Sequence, residues 1–380
     1  MRPLPAFCAY ATSLAALLLC SAAPAQELPR TGVPRGEPPA ALRAQTPLPP
    51  YPYRSEDVVY VNERSHLQLA GTLTVPQGAG PFPAVILISG SGPQDRDESY
   101  YGHKPFLVLA DHLSRHGIAV LRVDDRGVGG SQPGLREATT ADLATDVEAG
   151  VAWLRTRSEI DPDRVGLIGH SEGGLIAPMV AADDPRIAFI VLLAGVGVPG
   201  AEDVLAQVKA IKEASGAPPD RVEEALAVAR AVQRAAVGQP DLRQARAELM
   251  RTLAAGGMPA EQARRESSSI YSAWFRYFLA YDPAPTLARV RCPVLALGGS
   301  KDLQVPSPLN LGAIRSALAS NRDTTIAELP GLNHLFQTAD KGLPSEYAFI
   351  EETLAPEMLN LVGRWVGARA TAVRATAAVR

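Results

Sequence analysis

The segment Gly169-His170-Ser171-Glu172-Gly173-Gly174 holds a serine between small residues. It directly follows the apolar run Val165–Ile168 and directly precedes a second apolar run, Leu175 to Ala182, so a strand leads in and a helix leads out. A serine at a sharp strand-to-helix turn is held in a strained conformation, and only small neighbours leave room for it. The turn lifts Oγ above the strand end, with the helix N-terminus favouring developing negative charge. The chemistry this suits is nucleophilic attack on an acyl carbon. Five-residue matches of this kind also arise as ordinary turns; the strand-and-helix context is what separates this one.

A serine hydroxyl is a weak nucleophile until a base takes its proton. The six histidines are His66, His103, His112, His116, His170 and His334. Behind such an elbow the acid and then the histidine follow in chain order, and His334 alone lies after Ser171. It sits in Pro330-Gly331-Leu332-Asn333-His334, a loop just beyond the last expected strand; the plain alternative is a solvated loop histidine. His112 and His116 fall on a helix face, and His170 is expected to pack against the sheet. The acid must lie between Ser171 and His334 at the carboxyl end of a strand. Leu297-Gly298-Gly299-Ser300-Lys301-Asp302 fits, whereas Asp282 precedes that strand and Asp340 follows His334. A carboxylate at Asp302 would fix the imidazole tautomer and stabilise the imidazolium that forms.

A tetrahedral intermediate also needs two backbone N–H donors. One is expected from Glu172, the residue after the nucleophile. The other is expected from the loop Ser89-Gly90-Ser91-Gly92-Pro93-Gln94-Asp95-Arg96-Asp97, with Ser91 the choice and Gly90 and Gly92 its neighbours. This loop lacks the G-x-x-x-x-G-K-[ST] pattern of a phosphate cradle. Asp95, Arg96 and Asp97 either touch substrate or hold the loop by ion pairs, and the Glu172 side chain is equally open. Asp124 to Gly129 reads as structural. No metal-ligand spacing occurs, and no cofactor is expected.

The elements that must position these residues alternate. Val58 to Val61 and Leu67 to Val75 read as a hairpin, followed by short apolar strands at Ala84–Ile88, Ile118–Val123, Val165–Ile168, Phe189–Leu193, Pro293–Leu297 and Thr324–Leu329. Helical spacing of apolar residues marks Phe106 to His116, Thr140 to Arg157, Ser307 to Leu318 and a terminal helix from Pro356. This alternation implies an α/β chain: a mostly parallel sheet of about eight strands with helices on both faces. Residues 200–282 break the pattern. They are rich in Ala, Glu, Arg and Gln, carry no strand signal, and read as a helical cap inserted between core segments 55–199 and 283–370. Its cluster Tyr271, Trp274, Phe275, Tyr277 and Phe278 could line a pocket or pack the cap onto the sheet.

The N-terminus reads as an export signal: Arg2, an uncharged apolar stretch to Leu19, then Ala23-Pro24-Ala25 as the cleavage pattern. The stretch is shorter than the roughly 20 residues of a membrane-spanning helix. A lipoprotein signal ending at Cys20 is disfavoured by Leu19, where a small residue is needed. Cleavage after Ala25 leaves Cys292 as the one cysteine, so an internal disulfide is ruled out in the mature chain. Residues 26–54, with Pro38-Pro39 and Pro49-Pro50, read as an unstructured leader. A periplasmic or secreted protein without a stable membrane span is expected. A net charge of −3 and 20% charged residues imply no broad basic surface, which argues against a nucleic-acid partner. Oligomeric state is not legible.

Taken together, Ser89–Asp97, Lys104-Pro105-Phe106, Asp124–Ser131 and Gly169–Gly174 resemble bacterial α/β-hydrolase esterases near the dienelactone-hydrolase and acyl-peptidase branches. The resemblance covers about residues 56–198 and 284–367. It implies hydrolysis of small-molecule carboxylic esters through an acyl-enzyme, without a cofactor. The chain departs from dienelactone hydrolases proper in having Ser171 where they use cysteine, and it has Ser89 where a loop histidine often precedes the oxyanion glycine. Two other readings stay open: a peptidase or acyl-aminoacyl hydrolase with the same machinery, and a non-catalytic binding protein on the same scaffold.

Overall fold

The computed structural model describes residues 43–134, 138–238 and 241–371. The expected signal peptide and the first part of the leader lie outside them. Among the described residues, eight strands form one sheet in the order β1-β2-β4-β3-β5-β6-β7-β8. They are β1 (Tyr53–Asn62), β2 (Leu67–Pro76), β3 (Phe82–Ile88), β4 (Ala119–Val123), β5 (Ile160–His170), β6 (Ile190–Leu193), β7 (Val294–Gly299) and β8 (Thr324–Leu329). The β1–β2 hairpin joins β4 antiparallel, and every pairing from β4 through β8 is parallel.

Side chains alternate between the two faces of the sheet, and both faces are dry. Ala84, Ile86 and Ile88 of β3 join an apolar cluster with α2 (Thr140–Leu154), α3 (Gly173–Asp183) and α10 (Ser307–Ala317). Val85 and Leu87 join the opposite cluster, formed with α1 (Pro105–Arg115) and α11 (Pro356–Thr371). Local signals agree with this layout. Thr139 caps α2 in a reciprocal capping box with Asp142.

The stretch between β6 and β7 is helical: α4 (Gly200–Ala214), α5 (Pro219–Gly238), α6 (Leu242–Ala255), α7 (Ala260–Ile270), α8 (Ala273–Ala280) and the short α9 (Ala284–Leu287). Val204, Val232, Leu249, Trp274, Phe275 and Phe278 form an apolar cluster of their own, which takes in Leu175 of α3 and Val305 from the core. Through those two residues the insertion is seated directly beside the Ser171 turn. Among the described residues no helix is long and apolar enough to cross a membrane.

One expectation is corrected. The leader was expected to be unstructured to residue 54, yet β1 begins at Tyr53, and Arg43 and Gln45 are anchored to the core. Arg43 donates to the carbonyls of Tyr101, Ala348 and Ile350, while Gln45 donates to Leu354 O and accepts from the N–H groups of Thr353 and Leu354. A segment without hydrophobic period is held by polar side chains that satisfy backbone groups of a distant loop, which periodicity does not report.

Where β5 meets β6, the fully buried Phe189 ring fills the space a Cβ on Gly166 would occupy, at 2.3 Å. Gly166→Ala is therefore expected to cost about 1–3 kcal/mol by overpacking. Adding Phe189→Ala removes the clash, so urea denaturation of the double variant should show less destabilisation than the sum of the two single variants.

Candidate active site

β5 ends at His170, and Ser171 turns the chain with φ +53°, a left-handed conformation rare for a residue with a Cβ. The turn is possible because residues 169 and 173, two positions to either side, lack side chains. A Cβ on Gly169 would lie 2.0 Å from Gly173 O, and one on Gly173 would lie 2.2 Å from Ile88 O. The Ser171 N–H donates to Leu193 O of β6 at 2.9 Å, and α3 begins two residues later.

At the same edge of the sheet, Asp302 follows β7 and His334 follows β8. Both are nearly buried, at 4% and 5% exposure. Asp302 Oδ2 accepts from His334 Nδ1 at 2.9 Å, and its Oδ1 accepts the N–H groups of Gln304 and Val305 at 2.9 and 2.8 Å. A carboxylate only accepts, so Nδ1 carries the hydrogen, and in the neutral ring the lone pair falls to Nε2. The two loops lie against each other: Lys301 N–H donates to Leu332 O, and Asn333 Oδ1 accepts from the Leu335 and Gln337 N–H groups. His334 reaches the Ser171 elbow through its neighbour. The His170 and His334 ring centroids are 4.8 Å apart, and His170 Nε2 lies 3.0 Å from His334 O. Thus Asp302 and His334 are hydrogen-bonded and stand beside the elbow, while no Ser171 Oγ hydrogen bond to His334 occurs among the described residues.

The loop after β3 closes over the serine. Gly90 lies so close that a Cβ on it would meet Ser171 Cβ at 3.2 Å. The Gly90 N–H is taken by Glu98 Oε1 at 2.7 Å. The N–H groups of Ser91 and Glu172 meet no protein acceptor among the described residues. The charged run that follows holds this loop. Arg96 donates to both oxygens of Asp124, at 3.1 and 2.7 Å, and Asp97 pairs with Arg122 and with Lys104.

The chain matches the sequence profile of the X-Pro dipeptidyl-peptidase (S15) family over residues 65–311, more than half its length. It belongs to that family. The match takes in Ser171 and Asp302, and His334 lies beyond it. Over 299 residues the chain is 28% identical to esterase EstD of Thermotoga maritima, which covers 78% of this chain and 65% of that protein. The chain therefore spans just under two thirds of that relative's length. Among solved structures it is similar to an esterase of Pyrococcus furiosus (TM-score 0.54, 16% identity, 84% of this chain and 92% of that one). It is also similar to a Penicillium α/β-hydrolase (TM-score 0.51, 18% identity, 84% of this chain and all of that one). The fold of this S15 chain is that of the α/β-hydrolases.

Of three acids around Ser171, the sequence reading passes over Glu98, leaves the Glu172 side chain open and takes Asp125 as structural. Glu98, 2% exposed, joins Gly90 N–H to His170 Nδ1, which lies 2.9 Å from the same oxygen. The Glu172 side chain accepts from Thr140 Oγ1 at 2.7 Å and from Trp274 Nε1 of α8 at 2.6 Å, linking the helical insertion to the residue after Ser171. Burial raises the Glu172 carboxyl above its ordinary range despite those two donors. Asp125 lies behind the Ser89 loop, accepting from Ser89 Oγ and Gln94 N–H at 2.9 and 2.8 Å. Burial, with the nearby charges of Glu172 and Glu98, pushes its carboxyl up to about 8 despite those donors. A short polar side chain with one donor or acceptor in view leaves no periodic trace, so only the aromatic cluster holding Trp274 was visible beforehand. Among the described residues no group of three His, Cys, Asp or Glu side chains is placed to hold a metal ion.

The Asp125 shift has a stability consequence. Its pKa is higher folded than unfolded, so the folded chain holds the extra proton, and stability present at low pH is lost as pH rises towards 8. Asn at this position can accept from Gln94 N–H and donate to Ser89 Oγ without ionising. Melting curves of Asp125→Asn should therefore show a smaller loss of stability between pH 5 and pH 8 than those of the parent chain.

Proposed function

We propose that this S15-family chain is a serine esterase that cleaves small carboxylic esters through an acyl-enzyme. What carries the reading is the buried Asp302–His334 pair, with Nε2 left basic, standing beside a serine in the strained left-handed turn. Ser171 Oγ attacks the ester carbonyl while His334 Nε2 takes its proton. The Asp302 carboxylate stabilises the imidazolium so formed. The tetrahedral oxyanion accepts from the Glu172 and Ser91 N–H groups; one such donor contributes roughly 2.7–4 kcal/mol to lowering the barrier. His334 then protonates the leaving alcohol, and water activated by the same imidazole clears the acyl group. The name of the Thermotoga relative supports an ester, and the seating of α8 on Glu172 supports reading residues 200–282 as a cap over the site. Export, with cleavage after Ala25, belongs to this proposal and is supported by Arg2, the apolar run and the Ala23-Pro24-Ala25 pattern.

The family description favours a second reading with the same machinery, release of a dipeptide ending in proline. Rates on p-nitrophenyl acetate and on a Gly-Pro anilide separate the two, and the ester is expected to be the faster substrate. Ser171→Ala should abolish ester hydrolysis, and Asp302→Asn should lower kcat by about 10⁴-fold by letting the wrong tautomer form. Ester turnover surviving in purified Ser171→Ala would remove the proposal.

A further inference from the structure

His170 has no part in the steps above, yet its ring is 6% exposed and both its nitrogens are engaged. Nε2 faces the His334 carbonyl oxygen, which can only accept, so Nε2 carries a hydrogen. Nδ1 faces Glu98 Oε1, which already accepts the Gly90 N–H. The ring and the carboxyl therefore share one further proton. Placing it on Nδ1 gives every donor an acceptor and pairs a buried cation with a buried anion, which is how buried charge is tolerated.

We propose that Glu98 and His170 form a positioning pair for the hydrolytic site, in which the imidazolium, held by Glu98, anchors the base loop through the His334 carbonyl while Glu98 anchors the oxyanion loop through the Gly90 N–H. This rests on the reading of Ser171, His334 and Asp302 given above. The pair joins three separate loops, those after β3, β5 and β8, at the point where they meet. His170 immediately precedes the nucleophile, so the elbow, the base and the oxyanion loop share one buried set of hydrogen bonds. Glu98 itself is held at φ +51°, a conformation uncommon for a side chain of its size. Phe106, Leu109, Leu335, Phe336 and Met358 line the apolar pocket that the pair borders.

The charged groups facing the ring come from three elements: Glu98 after β3, Asp302 after β7 and His334 after β8; the charge of Glu98 also acts on Asp125. Burial alone would lower the His170 imidazolium. The Glu98 charge and hydrogen bond, the His334 carbonyl and Asp302 outweigh it and hold the ring above the ordinary histidine range. Once pH rises through that raised value, Nδ1 turns a lone pair towards the carboxylate, and Glu98 no longer holds the ring. The pair thus sets the alkaline limit of kcat.

Glu98→Gln tests this with almost no change of shape. Its amide oxygen can still accept from Gly90 and from Nδ1, but without the negative charge the ring is neutral, and Nε2 then turns a lone pair towards His334 O. The expected result is a kcat on p-nitrophenyl acetate about 10- to 100-fold lower, with KM little changed and the alkaline fall of the kcat–pH profile moved to lower pH. His170→Gln should lose a similar factor, and the double variant should be no worse than either, because the two groups act as a unit. Nitrogen-15 NMR of the full parent chain, with His170 assigned by its loss in His170→Gln, should show both ring nitrogens protonated at neutral pH. A parent-like kcat and pH profile in Glu98→Gln, multiplying losses in the double variant, or an unprotonated His170 nitrogen would each overturn the pair. The NMR result decides if Glu98→Gln does not fold. Fluorophosphonate labelling of Ser171 in the parent keeps the two claims apart: a labelled serine with an undiminished Glu98→Gln overturns the pair alone, and an unlabelled serine overturns the hydrolytic reading.

Discussion

The left-handed turn at Ser171 is the constraint around which the rest is arranged. A side chain at φ +53° is unfavourable in isolation and persists only where its surroundings over-determine it. Here the surroundings are the end of β5, the start of α3, and glycines at 169 and 173 whose missing Cβ atoms let backbone pass within 2.0–2.2 Å of where those atoms would sit. The parallel register of β3, β5, β6, β7 and β8 then brings the loops after those strands to one edge, so residues far apart in sequence meet at the serine.

Four carboxyl groups surround that edge, three of them buried and that of Asp125 half-buried, and each is held differently. Asp302 accepts from an imidazole and two backbone N–H groups, Glu98 from an imidazole and one backbone N–H, Glu172 from an indole and a hydroxyl, and Asp125 from a hydroxyl and one backbone N–H. Those facing a histidine have a partner able to carry positive charge. Glu172 and Asp125 meet only neutral donors, and burial raises both. One small region thus holds acids of distinct character, set by their partners and not by residue type.

The architecture was legible because it rests on features that repeat along the chain. Short, wholly apolar strands alternate with helical spacing, and strand starts such as Leu67 and Thr324 coincide with the observed ones. The meeting of Asp302 and His334 was legible from chain order together with the strand end that Asp302 follows. What escaped were contacts with no periodic trace. Glu98 lies one residue past the loop singled out as charged, and His170 was taken for packing because a ring at a strand end does not announce its two acceptors. Arg43 and Gln45 lie in a segment with no hydrophobic pattern, and apart from Tyr101 O their partners are backbone carbonyl and N–H groups more than 300 residues away.

The central claim is that Ser171 carries the acyl group between two half-reactions driven by His334. Rapid quenching of the enzyme with excess p-nitrophenyl acetate, followed by peptide mass spectrometry, observes that intermediate directly. The account predicts one acetyl group on the peptide holding Ser171, accumulating in the first turnover and absent from His334→Ala treated identically. Full turnover with no acetylated peptide, or with the acetyl group on another residue, would contradict it.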